Sequence, residues 1–237
     1  MYGDVFHGHG FHIRDWSGWV GSADVVRDNL KRPNTHGRFP AKQTLDAREV
    51  PAAGFLVADS FDERLHMLQQ LTALTVRDSF RLQVELDGVT TWGDAHLSEY
   101  PRIDASGVVP EAEWSAVFTF DDPLVYGDTR TFPSSAATSV YAYHYGSVPA
   151  YPILTVTQTG SGGYVITNES SEFRVASSVA GAVDRIDMRT GRLYRNGVLQ
   201  PAGSLRRDVW NIPGGTRVLH TITGAGLLKV TVTDTWG

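Results

Sequence analysis

The sequence contains no cysteine, which removes disulfide frameworks, thiolate catalysis, zinc ribbons and iron–sulfur ligation together. No stretch approaches the roughly 18 consecutive apolar residues of a membrane-spanning helix. The opening MYGDVFHGHGFH has neither the basic flank nor the apolar centre of a secretory signal, so the expected compartment of synthesis is the cytosol, with no membrane partner. Basic residues are also short: 21 Lys and Arg against 26 Asp and Glu give a net charge of −5, without the excess expected of a nucleic-acid binder. No GxSxG elbow and no readable Ser/His/Asp order is present. Hydrophobic residues at 41% and charged residues at 20% exclude a disordered or fibrous chain, and 237 residues suit either one large all-β domain or two smaller ones.

What is present is β punctuation. The 24 glycines and 11 prolines are spread along the chain between short runs rich in Val, Thr, Tyr, Phe and Trp. Asp87-Gly88 within RLQVELDGVTTWG and Asn196-Gly197 within GRLYRNGVLQ tolerate the positive φ of tight hairpins. Further strands are expected at about 113–120, 139–144, 153–158, 163–168, 174–179, 183–188, 216–223 and 226–233. One segment breaks the pattern: from Ser60 to about Asp78, Leu65, Leu68, Leu71 and Leu74 follow Phe61 as one apolar helical face. Ser60 and Glu63 have the spacing of a capping box, with Asp59 and Asp62 at the positive end of the helix dipole.

Several motifs invite chemistry, and each has a plainer account. His7, His9 and His12 in HGHGFH could ligate a metal, yet no helix fixes their spacing, and a loose N-terminal turn is the expectation. Asp121-Asp122 and Glu111/Glu113 could form the carboxylate pair of a glycoside hydrolase, but Asp-Pro is a common turn opener. TGSGGY (159–164) lacks the lysine and following helix of a phosphate loop, and a hairpin tip is expected there. Tyr141, Tyr143 and Tyr145 alternate along one strand face and could stack on sugars, or simply lie beneath neighbouring loops. No catalytic residue, cofactor or metal is assigned.

GSVPAYP marks a join near residue 148. Residues 1–145 carry 12 basic and 20 acidic side chains, net −8, whereas 146–237 carry 9 and 6, net +3.

The order of features resembles a known family. VVRDNLKRPNTHGRFPAKQTLDAREVPAAGFLVADS, with a Pro33-to-Gly37 loop and a basic strand end at Arg48, runs into the Ser60 helix and a hairpin, then FDDPLVYG. This is similar to the first domain of the siphophage distal tail protein family. YPILTVTQTG, VDRIDMRTGRLYRNGVLQ and WNIPGGTRVLHTITGAGLLKVTVTDTW resemble the family's carboxy-terminal sandwich. The resemblance implies an all-β fold with one helix: a tail-tube-like β-sandwich over 1–147, with the helix near 60–78, and a galectin-like β-sandwich over 148–237. It implies a non-enzymatic virion protein, a homo-hexameric ring at the tail tip that is assembled in the bacterial cytoplasm. Its implied partners are the tail tube protein, a tail fibre or tail-associated protein and a receptor-binding protein, with DNA passing through unbound. Ring closure needs two different patches, and Trp16, Trp19 and Trp92, in turn-rich contexts, are candidates for subunit contacts or for the core. The rival readings are a carbohydrate-binding module using Tyr141 or Trp210, a β-sandwich hydrolase using Asp121-Asp122, and another tail-tube component.

Overall fold

The structure, a computed structural model, describes residues 9–21, 23–26, 36, 44–169, 171–177 and 179–237. His7 and most of the Pro33-to-Gly37 loop lie outside them. By internal contacts the chain divides into Met1–Val125, with the terminal Gly237, and Tyr126–Trp236.

The first unit contains β1 (Gly10–Trp16), β2 (Val25–Val26), β3 (Thr44–Leu45), β4 (Arg48–Val57), α1 (Phe61–Ala73), β5 (Phe80–Leu86), β6 (Val89–Leu97), β7 (Arg102–Asp104) and β8 (Glu111–Phe120). Its main sheet runs β1-β4-β8-β6-β5, with β7 also on β8, while β2 and β3 pair only with each other. The core follows the period-2 pattern: Val50, Ala52 and Leu56 of β4 meet Ala112, Trp114, Ala116, Phe118 and Phe120 of β8. β4 was not legible as a strand because Pro51 and Gly54 interrupt it. Gly54 is required there, since a Cβ would stand 1.8 Å from the His12 carbonyl oxygen of β1.

α1 begins where expected. Ser60 Oγ accepts the Glu63 N–H at 3.1 Å, and Glu63 reaches back to the Asp59 N–H at 2.7 Å, one residue earlier than in the usual box. The α-helix stops at Ala73 and finishes as a 3-10 turn over Leu74–Val76, short of the expected end at 78. Only Leu68 and Leu71 of its leucine row are buried, and Phe61 and Leu65 are exposed. Each step of three residues falls about 60° short of a turn, so the row winds round the helix instead of forming one face.

The second unit contains β9 (Val125–Ala137), β10 (Ser139–Tyr143), β11 (Ile153–Gln158), β12 (Tyr164–Asn168), β13 (Ser171–Val175), β14 (Val183–Asp187), β15 (Arg192–Arg195), β16 (Val198–Leu199), β17 (Ser204–Arg207), β18 (Arg217–Gly224) and β19 (Gly226–Trp236). Strands β9-β19-β11-β14-β15-β16 form one sheet and β10-β18-β12-β13-β17 the other. Leu154, Val156, Ile166, Phe173, Ile186 and Leu228 lie within the shared core between them. The division precedes the expected join at 147/148 because β10 pairs with β18 from Ser139↔Thr221 to Tyr143↔Arg217. The charge contrast survives, since the shift transfers Asp128 and Arg130 together: the units carry −8 and +3.

Both hairpin dipeptides have positive φ, 51° and 77° at Asp87-Gly88 and 47° and 82° at Asn196-Gly197. TGSGGY is not a hairpin tip: β11 and β12 belong to different sheets, so the segment carries the chain across the sandwich. Its glycines fit a crossing, since a Cβ on Gly163 would meet the Val175 carbonyl oxygen at 2.4 Å.

Candidate assembly surfaces

The feature that organises one side of the first unit is Arg48, at the start of β4 and 2% exposed. Its Nη1 donates to the carbonyls of Gly18 (2.6 Å), Trp19 (3.1 Å) and Gly21 (2.5 Å), and Nε donates to the Pro123 carbonyl at 2.8 Å. Burial lowers its pKa from the ordinary value without a carboxylate to offset it. Four backbone carbonyls therefore take the place of water around one guanidinium. The result is a fixed loop over residues 17–21, from which the chain departs into β2. A bond from the Asp46 N–H to the Asp24 carbonyl (2.8 Å) closes the base of the β2–β3 arm.

That loop decides the fate of the tryptophans. Trp19 is 4% exposed, wedged between Trp16 (5.7 Å between centroids) and Phe120 (5.5 Å), with Nε1 donating to Thr91 Oγ1 at 3.0 Å. It is a core residue, which corrects its candidacy as a subunit contact. Trp92 is half-buried under the Arg81 guanidinium, 3.7 Å above its ring. Trp16 is half-buried and borders two hollows. The larger, about 510 Å³, has Trp16, Tyr100, Asp15, Glu99 and Arg102 in its walls. The other, about 320 Å³, lies between Ile13, Arg14 and Trp16 of β1 and the whole run Leu82–Leu86 of β5.

A shallow apolar hollow on α1, lined by Leu65, Leu68, Val76 and Tyr100 among others, was not anticipated. The exposed half of the leucine row is the signal that could have found it.

The other sequence candidates separate from one another. His9 Nδ1 lies 3.0 Å from Asp59 Oδ1, and His9, Asp59 and Glu63 bring ligand atoms within 4.8 Å of one another. The Glu63 carboxylate is already held by the Asp59 N–H, and a cation there would face the positive end of the α1 dipole. His12 does not join them, stacking on Phe55 at 5.0 Å. Asp122 Oδ1 accepts the Leu124 N–H at 3.2 Å, the turn expected of Asp-Pro, and the exposed Asp121 is 3.8 Å from His96. Glu111 and Glu113 lie exposed on β8.

In the second unit the polar groups are structural. Asp184, fully buried, receives Arg195 through Nε at 2.8 Å and Nη2 at 3.0 Å, and the Tyr164 hydroxyl at 2.8 Å. Burial and the neighbouring carboxylate keep the Tyr164 phenol protonated well beyond its ordinary range. Trp210, 7% exposed, donates from Nε1 to His220 Nε2 at 3.1 Å, so it is unavailable for stacking on a sugar. Tyr141 is exposed, with Arg217 4.4 Å above its ring, and Tyr143 packs against Tyr145 at 4.2 Å.

No protein-family model matches the chain, and no curated protein matches it in sequence. Solved structures do match in fold. The phage SPP1 Dit protein, described as a paradigm of the hub adsorption apparatus in phages infecting Gram-positive bacteria, aligns at a TM-score of 0.76 and 15% identity, over 95% of this chain and 93% of that one. The phage P2 baseplate in its activated conformation with Ca aligns at 0.55 and 7% identity, over 98% and 92%. The same baseplate with Sr aligns at 0.52 and 7%, over 96% and 92%. The all-β fold with a single helix in the described residues is thus the Dit-like fold.

Proposed function

We propose that the protein is a hub protein of a long non-contractile phage tail, acting in the virion at the tail tip. In this reading six copies close a ring that binds the tail tube on one face and fibre or receptor-binding components on another, with a central passage for DNA. The observation that carries it is the SPP1 Dit likeness, which extends through both units at TM-score 0.76. The role is structural, and no side chain in the described residues is assigned to catalysis.

The charge division supports the passage. A wall rich in Lys and Arg would release counterions from DNA and hold it, whereas a first unit of net −8 repels it. The domain assignment follows: the first unit, tail-tube-like, forms the ring, and the second is the outward galectin-like sandwich. Electron microscopy of the purified chain, alone and bound to tail tubes, tests the reading. The expected outcome is a sixfold ring with a net acidic lumen; a closed ring with a basic lumen, or a chain that forms no ring even on tubes, would overturn it.

A further inference from the structure

We infer that the outer face of the strands β19-β11-β14-β15 is a binding site for a flexible phosphodiester polymer whose linkers carry hydroxyl groups. Every observation behind the inference lies within the second unit, so it stands apart from the ring reading.

The first observation is which cations are left over. The second unit carries ten Lys or Arg, nine from residue 146 onward and Arg130. Carboxylates hold Arg130, Arg174, Arg195 and Arg206, while Arg189, Arg207 and Arg217 rest on hydroxyl, carbonyl or aromatic groups. Arg185, Arg192 and Lys229 have no hydrogen-bond, ion-pair or ring partner among the described residues. All three share one face. Their strand neighbours Asp184, Ile186, Leu193, Leu228 and Val230 are buried, so by the alternation of a strand Arg185, Arg192 and Lys229 project from the other side of the sheet. Arg185 and Arg192 are exposed and Lys229 is half-buried.

The second observation is their spacing, which the strand register sets. Arg185 stands opposite Thr155, and Thr155 opposite Lys229, so two cations flank one hydroxyl at two strand spacings, about 10 Å apart along the backbone positions. Arg192 lies one strand over and two residues along from Arg185, about 8 Å away, opposite Asp187. Asp187 is the one carboxylate that these four strands turn to this face, and its Oδ1 already accepts the Arg189 N–H at 2.8 Å. The charge of the face is therefore complementary to a polyanion. A guanidinium fork takes two oxygens of one phosphate, and the ammonium meets another as a point charge. Between them the Thr155 hydroxyl, donor and acceptor at once, suits a hydroxyl on the linker, and the exposed Thr157 continues the row along β11. Three charges spread over two dimensions of a sheet favour a chain that bends to reach each of them over a rigid duplex, which meets a broad face along one line.

The test titrates the purified full chain into end-labelled poly(glycerol phosphate) and reads affinity by fluorescence anisotropy over a range of salt. Unlabelled poly(glycerol phosphate), duplex DNA and poly-glutamate of equal charge, and neutral dextran serve as competitors. The expected result is strong displacement by the first, weak displacement by the other two polyanions and none by dextran. Arg185→Gln, Arg192→Gln and Lys229→Gln together should weaken binding about tenfold or more. They should also lower the slope of log affinity against log salt by about 2. The charge-matched control, Arg174→Gln, Arg206→Gln and Arg217→Gln on the opposite sheet, should stay within about twofold of the parent. Thr155→Val keeps every charge and should weaken polymer binding about threefold while leaving poly-glutamate unaffected. Circular dichroism shows which variants are folded, and Thr155→Val with the three single Gln variants answers the question if the triple variant is not. No binding by the parent, an equal loss in the control, or displacement by duplex DNA or poly-glutamate as strong as by the polymer would overturn the inference.

Discussion

At the scale of single residues, Arg48 is where sequence and structure are most tightly joined. One guanidinium satisfies four carbonyls, at Gly18, Trp19, Gly21 and Pro123, and so holds together a loop that the sequence leaves far apart. Arg48→Met would keep much of the bulk but remove the donor, stranding the Trp19 carbonyl, whose bond is buried, while the partly buried carbonyls of Gly18, Gly21 and Pro123 could turn to water. One buried unsatisfied group costs about 1–3 kcal/mol, so the loss of folding stability should be about 2 kcal/mol or more. Arg48→Lys keeps a charge but offers a single point of donation, and should fall between the two. Urea unfolding of the three proteins checks the order, and a Met variant within about 1 kcal/mol of the parent would show the loop to be self-supporting. The sequence marks Arg48 as a basic strand end, but nothing in it shows which carbonyls converge there, because they come from residues 18–21 and 123. Trp19 failed as a surface candidate for the same reason. Its turn-like neighbours Gly18 and Gly21 suggested exposure, and the loop they form folds its indole onto Phe120.

At the scale of elements, what could be read was what depends on neighbours in the chain. The two hairpins follow from Asp-Gly and Asn-Gly, and the start of α1 follows from Ser60 and Glu63. Ser60→Ala should remove the bond to the Glu63 N–H and cost about 1 kcal/mol, lowering the thermal midpoint with little change in far-ultraviolet dichroism. Loss of the entire helical signal would mean that the cap nucleates α1 and does more than stabilise its end. Elements set by distant partners were misjudged or missed. β4 carries Pro51 and Gly54 yet lies between β1 and β8, tolerated because β1 approaches so closely that no side chain fits at Gly54. TGSGGY has the composition of a turn, and only the partners of β11 and β12 reveal that it crosses between sheets. The hollow between β1 and β5 was invisible for a related reason: its two walls are strands that lie far apart in the sequence.

At the scale of the whole molecule, the two units should respond differently to acid. His220 is fully buried in the second unit and accepts the Trp210 N–H through Nε2, so its proton sits on Nδ1 and the ring is neutral. Burial lowers its pKa to about 4 from an ordinary 6.5, because charging it would place an ion in the core and set donor against donor. His144, buried in the same unit, accepts the Thr235 N–H, and burial lowers its pKa too, with Asp234 pulling the other way. For a histidine whose folded pKa is depressed, the unfolded chain binds the proton first. Stability is therefore unaffected above about pH 6.5, falls as pH drops through the interval from 6.5 towards 4, and levels off for that group below it. His220 alone accounts for roughly 3 kcal/mol across the interval, and His144 adds in the same direction. None of the described histidines of the first unit is buried, so acid should open the second unit before the first. Amide exchange followed by mass spectrometry at pH 7 and pH 4.5 resolves the units separately. The expected outcome is faster exchange in β10, β18 and β19 at the lower pH, with β4 and β8 changed far less. His220→Gln should flatten the dependence by about one proton's worth, at the cost of some stability at neutral pH. Equal acid sensitivity in the two units, or an unchanged slope in that variant, would mean that groups other than the buried imidazoles set the response.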